Sequence, residues 1–223
     1  PRCERICPMN PLFLLSLLEG LLGTVILSLL TFLFGGLVGL VVALTRLSPA
    51  RPISLVAQLY TQIFQGIPLL VVLGLCYFGP ILLGFTGISP LVAATMAMTI
   101  FASSYLGEIW YGCLLSVPKA QWEAAECLGL TRWERMTRVV LPQSLRIATP
   151  PTVGFMVIIV KNTSISSLVV GYHELTYNAK VINNATFEPF IYFGLAGLLY
   201  FLVCYPISLQ ARALERKLNV GNR

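Results

Sequence analysis

Apolar residues occur along this chain in long unbroken stretches, not at helix or strand spacing, which is the pattern of segments that are apolar on every side. The first such segment predicts a helix over 12–45, and no charge interrupts it between Leu21 and Thr45. That run is too long for a signal-peptide core, and no small-residue cleavage site follows it. The longest charge-free interval is Pro52–Gly107, 56 residues. Roughly 20 apolar residues cross a bilayer as a helix, so the interval holds about two spans. Gly79-Pro80, Gly84, Gly87 and Pro90 place a turn between a second span over 55–83 and a third over 91–115. A fourth, 147–170, is apolar except for a polar patch at Lys161, and a fifth, 190–211, carries no charge. The pattern therefore predicts an all-α, polytopic membrane protein with about five transmembrane helices, and the whole of 1–223 reads as one transmembrane domain.

Composition agrees with this reading. Only 11% of residues are charged, against about 25% in an ordinary soluble domain. Charge also orients the spans. Arg46 and Arg51 separate spans one and two; Lys119, Arg132, Arg135, Arg138 and Arg146 separate three and four; Arg212, Arg216, Lys217 and Arg223 follow span five. Those eleven of fifteen basic residues fall on one face, against Arg2, Arg5 and Lys180 on the other. The positive-inside rule makes that face cytoplasmic, with the N-terminus outside and the C-terminus inside. The net charge of +6 is then a topology signal. No basic patch is interleaved with stacking aromatics, so nucleic acid is not a partner.

Several chemistries are excluded. All nine acidic residues are glutamates, which removes nucleotide chemistry built on aspartate-held magnesium, and no Gly-x-x-x-x-Gly-Lys-Ser/Thr run occurs. One histidine and six scattered cysteines form no metal-ligand cluster and no nucleophile-base pair. No cofactor, metal site or catalytic residue is expected on this chain, and any ATP chemistry belongs to a partner. Cys76, Cys113, Cys127 and Cys204 read as small apolar residues; Cys3 and Cys7, four apart, leave pairing or metal binding open.

The segment 116–146 is the longest polar stretch and is not composed like a linker. Pro118, good helix formers through Leu128, and Gly129 in the C′ position predict a short helix with a sharp stop. Thr131 with Glu134 three residues on predicts a capping box opening a second short helix that runs to Pro142. Trp122, Leu128, Leu130 and Trp133 give this pair more apolar surface than a solvated connector needs, which points to a docking surface.

Here the sequence resembles a known family. Glu123-Ala124-Ala125, three residues, Gly129, nine residues, then Val139-Val140-Leu141-Pro142 is similar to the EAA motif of binding-protein-dependent ABC-transporter permeases, with Val139 where isoleucine is usual. Gln65-Gly66-Ile67-Pro68-Leu69-Leu70, Tyr105 with Glu108-Ile109, Ser116-Val117-Pro118-Lys119 with Gln121-Trp122, and Lys161-Asn162-Thr163-Ser164 running to Gly171 and Glu174-Leu175 resemble its polar amino-acid branch. The sequence departs from the pattern at Gln65, where arginine is usual, and at Trp110-Tyr111, where arginine-glycine commonly follows the Glu-Ile pair.

The resemblance implies a permease subunit of an ATP-driven importer in the bacterial cytoplasmic membrane. Its coupling helix, carrying Glu123, Ala124, Ala125, Gly129, Leu141 and Pro142, would seat on a separate ATPase that holds the ATP and magnesium. The implied partners are two ATPases, a second permease subunit, identical or related, and an extracytoplasmic amino-acid-binding protein delivering a polar amino acid. The competing reading is an autonomous secondary carrier or channel; a single five-span chain shows no obvious duplication of the kind many such carriers carry.

Polar residues within spans supply the substrate-path candidates: Gln65, Glu108, Lys161, Asn162, Thr163 and Ser164. A charge at the bilayer centre costs about 2.5–3.5 kcal/mol, so Glu108 and Lys161 must face a watery path, pair with a neighbour or reach an interface. Gln58, Gln62 and Gln65 share one helical face and either line a pore or bond a partner helix. Gly35 and Gly39 permit close helix approach, and His173 lies in the outer loop as a surface residue or a contact for a binding protein.

Overall fold

The computed structural model describes residues 11–85 and 87–220, and every regular element among them is helical. Cys3 and Cys7, with Arg2 and Arg5, lie outside the described residues. The elements are α1 (Pro11–Arg46), α2 (Arg51–Gly66), α3 (Leu69–Leu82), α4 (Pro90–Leu115), α5 (Lys119–Cys127), the single turn α6 (Arg132–Glu134), a π-helix (Arg135–Val140), α7 (Leu141–Val169), α8 (Leu175–Thr186) and α9 (Pro189–Val220). Four helices are long and apolar enough to cross a membrane, five if α2 and α3 together make one span.

The pairing of α1 with α4 is the most extensive in the molecule. Gly20, Gly23, Thr24, Ser28, Thr31, Gly35 and Gly39 give α1 a buried face of small residues. A Cβ on Gly35 would stand 2.7 Å from the Ala102 Cβ, and one on Gly39 3.1 Å from the Leu106 Cβ. Lipid gives helices no hydrophobic reason to associate, so such close approach, with its dispersion contacts, holds them together. At the other end of α1, Gly20 and Gly23 admit the backbone of the α8 start: a Cβ on Gly23 would collide with the His173 carbonyl oxygen. Around α1 and α4 a core of Leu27, Leu69, Val72, Leu73, Met98, Leu106, Phe155 and Ile159 draws in α3 and α7.

Four expectations are corrected. The second span over 55–83 is not one helix: α2 and α3 meet at 102°. Pro68 forces Ile67 out of the helical region, to φ −96°, ψ 130°, and itself starts α3. Gly79-Pro80 does not end that span; Pro80 lies inside α3, and the turn comes at Gly84 and Gly87, both with positive φ. The second short helix does not stop at Pro142 but runs unbroken into α7, so helix begins well before 147. In a straight α-helix the Pro142 ring would strike the carbonyl four residues back; the π-turn over Arg135–Val140, where Leu141 N–H donates to the Met136 carbonyl, widens the helix just before it. Finally, 171–189 is not simply a loop, since it contains α8.

Gly23→Ala therefore forces a Cβ against fixed backbone and is expected to cost about 1–3 kcal/mol. Gly74→Ala, where nothing lies within 4 Å, is expected to leave stability unchanged or slightly raised. Thermal unfolding of the two variants in the same detergent checks this; equal midpoints would remove the close-packing argument.

Candidate functional site

The EAA segment forms the first part of the site. α5 ends in a Schellman motif: Leu130 N–H donates to the Ala125 carbonyl (3.2 Å) and Gly129 N–H to that of Glu126 (2.9 Å). Gly129 sits at φ +72°, a conformation a Cβ opposes. Thr131 then completes the capping box, accepting from Glu134 N–H at 3.3 Å while the Glu134 carboxylate accepts from Thr131 N–H at 3.1 Å. The Thr131 N–H comes first in holding the Glu134 carboxyl below its ordinary value, followed by the Thr131 hydroxyl, which donates to the same carboxylate oxygen at 2.9 Å, with Arg138 adding to them. Arg135 reaches back to Glu126 at 2.7 Å, tying the π-helix to α5.

This closed turn presents Leu128, 79% exposed, and Trp133, 75% exposed, with Glu123 and Ala124 also outward and Ala125 buried. Trp122 and Leu130 are half-buried, so the apolar tip is narrower than the sequence implied. Trp122 turns inward on the small core of Leu114, Val117 and Val140, to which Leu47 and Leu141 also belong. That core fixes the knob to the ends of α1 and α4. Between knob and α1–α2 turn lies a cavity of about 710 Å³, lined by Leu47, Pro49, Trp122, Arg132, Trp133 and Arg135 among others. Pro142 is exposed at the start of α7.

The polar residues inside the spans do not converge on one cluster. Gln65 turns its amide onto the Ser104 carbonyl at 3.1 Å, fixing α2 to α4 beside the bend, while Gln58 and Gln62 remain exposed. Tyr60 does the same one turn earlier, its hydroxyl 2.6 Å from Ser103 Oγ. Glu108 pairs with Arg46, whose guanidinium also lies 4.1 Å over the Tyr111 ring. Trp110, one of the two departures from the family pattern, donates its indole N–H to Thr152 at 2.8 Å and so joins α4 to α7. On α7, Thr163 is fully buried and bonds within its own helix, as does Ser164. Asn162 is half-buried and Lys161 exposed. At 100° per residue, Lys161 leaves α7 on the side opposite the buried Ile159, within electrostatic reach of Cys204 on α9. It has no ion pair among the described residues.

A buried glutamate emerges that residue type alone did not single out. Glu174 is fully buried; its carboxylate accepts from Thr176 N–H (2.9 Å), Tyr177 N–H (2.8 Å) and the Tyr200 hydroxyl (2.6 Å). It caps α8 and binds that helix to α9. Leu175 N–H donates to Thr24 and Asn178 to the Ser16 carbonyl, which fasten α8 to α1. Glutamate is not a favoured N-cap residue, so the usual helix-start signal was missing. His173 is exposed and stacks on Tyr177 with ring centres 4.3 Å apart.

Residues 35–220 match the family described as binding-protein-dependent transport system inner membrane component. The chain is 32% identical over 200 residues to a probable amino-acid ABC transporter permease of Bacillus subtilis (YckA), covering 90% of this chain and 88% of that protein. It is 32% identical over 201 residues to the L-cystine transport system permease TcyB of the same organism, covering 90% and 85%. Among solved structures, an amino-acid ABC transporter superposes with a TM-score of 0.85 at 32% identity, covering 91% of this chain and 94% of that one.

Glu174→Ala leaves two amides unpaired in a dry interior, an expected loss of about 1–3 kcal/mol for each, and takes from the Tyr200 hydroxyl its carboxylate acceptor while its contact with the Thr176 hydroxyl at 3.2 Å remains. Tyr200→Phe removes one donor and leaves both amide bonds, so its unfolding midpoint is expected to fall less; the reverse order would refute the capping role. The capping box supplies a pH test. Its glutamate is depressed in the folded chain, so the stabilisation is present above the ordinary carboxyl value and is lost as pH falls through the lowered one. Limited proteolysis between Leu128 and Arg135 is expected to quicken over that acidic window in the native chain and to show no such step in Glu134→Gln.

Proposed function

We propose a role that proceeds from one fact: the chain belongs to the binding-protein-dependent transport system inner membrane component family. It is the membrane-spanning permease subunit of an ATP-driven importer of polar amino acids, in the bacterial cytoplasmic membrane. The observation that carries this reading is the extent of the likeness to amino-acid permeases, 90% of the chain for two of them, together with an EAA segment held outward as a rigid knob. The chain is not an enzyme in this reading; ATP and magnesium stay on two partner ATPases. A second permease subunit completes the path, and an extracytoplasmic binding protein delivers the substrate.

The orientation follows from charge. The ends of α1 and α9 that carry Arg46 and Arg212, Arg216 and Lys217, and the basic segment 119–146 between α4 and α7, lie in the cytoplasm, and α8 lies outside. Leu128 and Trp133 then enter the ATPase, with Glu123, Ala124, Ala125 and Gly129 shaping the helix end and Leu141 and Pro142 passing its movement into α7. That transfer is mechanical, because Gly129 and the capping box fix the angle between α5 and the helix that becomes the span. The path runs along the exposed stripe of α7 that carries Lys161, with Asn162 and Ser164 beside it on the same turn, the buried Thr163 behind them, and Gln65 and Glu108 at its flanks. The bend between α2 and α3 supports this reading: a helix broken within the apolar layer exposes backbone polar groups, which are tolerated where they line a cavity or are buried in protein.

The test is reconstitution in proteoliposomes with the cognate ATPase and binding protein. The chain alone is expected to hydrolyse no ATP, and the complex to import an amino acid in an ATP-dependent way. Gly129→Ala adds about 1–2 kcal/mol of backbone strain at the coupling turn and is expected to lower uptake per ATP hydrolysed while the complex still assembles. Lys161→Met is expected to lower uptake about tenfold, the worth of one charged hydrogen bond. Ion-driven uptake by the chain without any ATPase would sink the proposal.

A further inference from the structure

The face of α7 that carries Lys161 continues through Ile158, the half-buried Gly154, Pro151 and Ile147, spaced by three or four residues. At the end of that stripe, between α7 and the last turns of α9, lies a cleft of about 520 Å³ lined by Ile147, Pro150, Pro151, Gly154, Ala211, Arg212, Glu215 and Leu218. The two helices run antiparallel, so Gly154 and Ala211 stand at its inner end and Ile147 and Leu218 at its mouth. Lys161 lies seven residues above Gly154 on the same face, about 10 Å along the axis.

Two charges of opposite sign stand in the wall of this otherwise apolar cleft. Arg212 and Glu215 are exposed, three apart on α9 and so on adjoining turns, yet they form no ion pair with one another or with any other described residue. Arg216 donates to the Arg212 backbone carbonyl and not to Glu215. Arg146, also exposed, sits one turn below Pro150 on α7. The proline pair adds acceptors, since neither ring can donate to the carbonyls of Arg146 and Ile147 four residues back. A cation, an anion and carbonyls that lack their helical donor, around a small apolar floor, complement a molecule that carries both an ammonium and a carboxylate.

We propose that this cleft is the cytoplasmic release subsite of the transport path, in which Arg212 takes the carboxylate and Glu215 the ammonium of a zwitterionic amino acid leaving the neighbourhood of Lys161. The proposal rests on the transport reading above and names two residues that the EAA segment and the span-embedded polar residues do not include. Its volume holds one amino acid, and the position of both charges at the end of the uncharged stretch of α9 puts them where the substrate regains water.

The experiment uses the complex with its ATPase and binding protein in inside-out vesicles. In a chain whose native cysteines are replaced by serine or alanine, Gly154→Cys reports the inner end of the cleft and Ala213→Cys the far side of α9. Both are labelled by a maleimide added to the cytoplasmic face. The amino acid that the wild-type complex imports, found with a panel of radiolabelled amino acids including L-cystine, is expected to slow labelling of Gly154→Cys alone. The factor is one plus the ratio of ligand to Kd, about fourfold at three times Kd. Arg212→Gln and Glu215→Gln should each abolish the protection, and Arg212→Lys should retain it. Normal wild-type import without protection of Gly154→Cys would overturn the subsite and leave the transport reading standing. Protection by phosphatidylglycerol in the vesicle and not by amino acid would assign the cleft to a lipid headgroup and overturn it as well. Failure of the wild-type complex to import anything would strike the transport reading itself.

Discussion

The whole arrangement depends on how closely α1 can approach its neighbours. Between helices surrounded by lipid, burying one more leucine gains nothing that the lipid did not already supply, so affinity comes from contact distance. α1 obtains that distance by giving up side chains. Gly35 and Gly39 bring it onto Ala102 and Leu106 of α4, and Gly20 and Gly23 bring it onto the backbone that opens α8. One helix is thereby fastened at two levels to two elements that are distant in sequence. Its small polar residues serve the same surface: Thr24 Oγ1 accepts Leu175 N–H, while Ser28 returns its hydroxyl to the Thr24 carbonyl. A larger residue at any of the four glycines would move α4 or α8, and the elements those helices position would move too.

That rigid pairing stands beside two interruptions of regular backbone. The first is the bend at Ile67-Pro68, where α2 and α3 part by 102°. The second is the π-turn over Arg135–Val140, between the outward knob and the long span α7. Both are forced by prolines, and both lie where helix hydrogen bonding would otherwise be continuous. The bend is pinned on one side by Gln65 and Tyr60, which bond α4 through Ser104 and Ser103. The π-turn is pinned by Arg135 to Glu126. Each interruption is therefore a fixed shape, and the knob is joined to α7 through a turn held at both ends.

The sequence read well where one residue type admits one conformation. Gly129 was legible as a left-handed stop because the helix before it was well formed, and the Thr131–Glu134 box because its two bonds need only local spacing. Long apolar runs marked α1, α4, α7 and α9, the four helices among the described residues long and apolar enough to cross a membrane. What escaped was set by interactions across the chain. Pro68 carried the signal for the bend, but in a charge-free run of 56 residues length outweighed it. α8 has mixed polarity and a glutamate for a cap, and it exists because α1 and α9 hold its first turn. The placement of Trp122 could not be read either: apolar surface on a short helix faces outward or inward depending on what its neighbours leave open, and Leu114, Val117 and Val140 leave a seat for it.

Glu108 and Lys161 pose one physical problem and meet it differently. An unpaired charge within a span costs about 2.5–3.5 kcal/mol, and the chain offsets that cost at Glu108 from within, by placing Arg46 against it and Tyr111 against Arg46. Nothing comparable stands at Lys161, whose ammonium has neither an ion pair nor a hydrogen bond among the described residues. Exposure toward lipid would leave the cost unmet along a stripe that runs the length of α7. The cost falls if that stripe faces water or protein, or if the ammonium reaches the membrane interface, so the side of α7 that carries its single charge within the apolar span is the one whose surroundings decide the stability of the bundle.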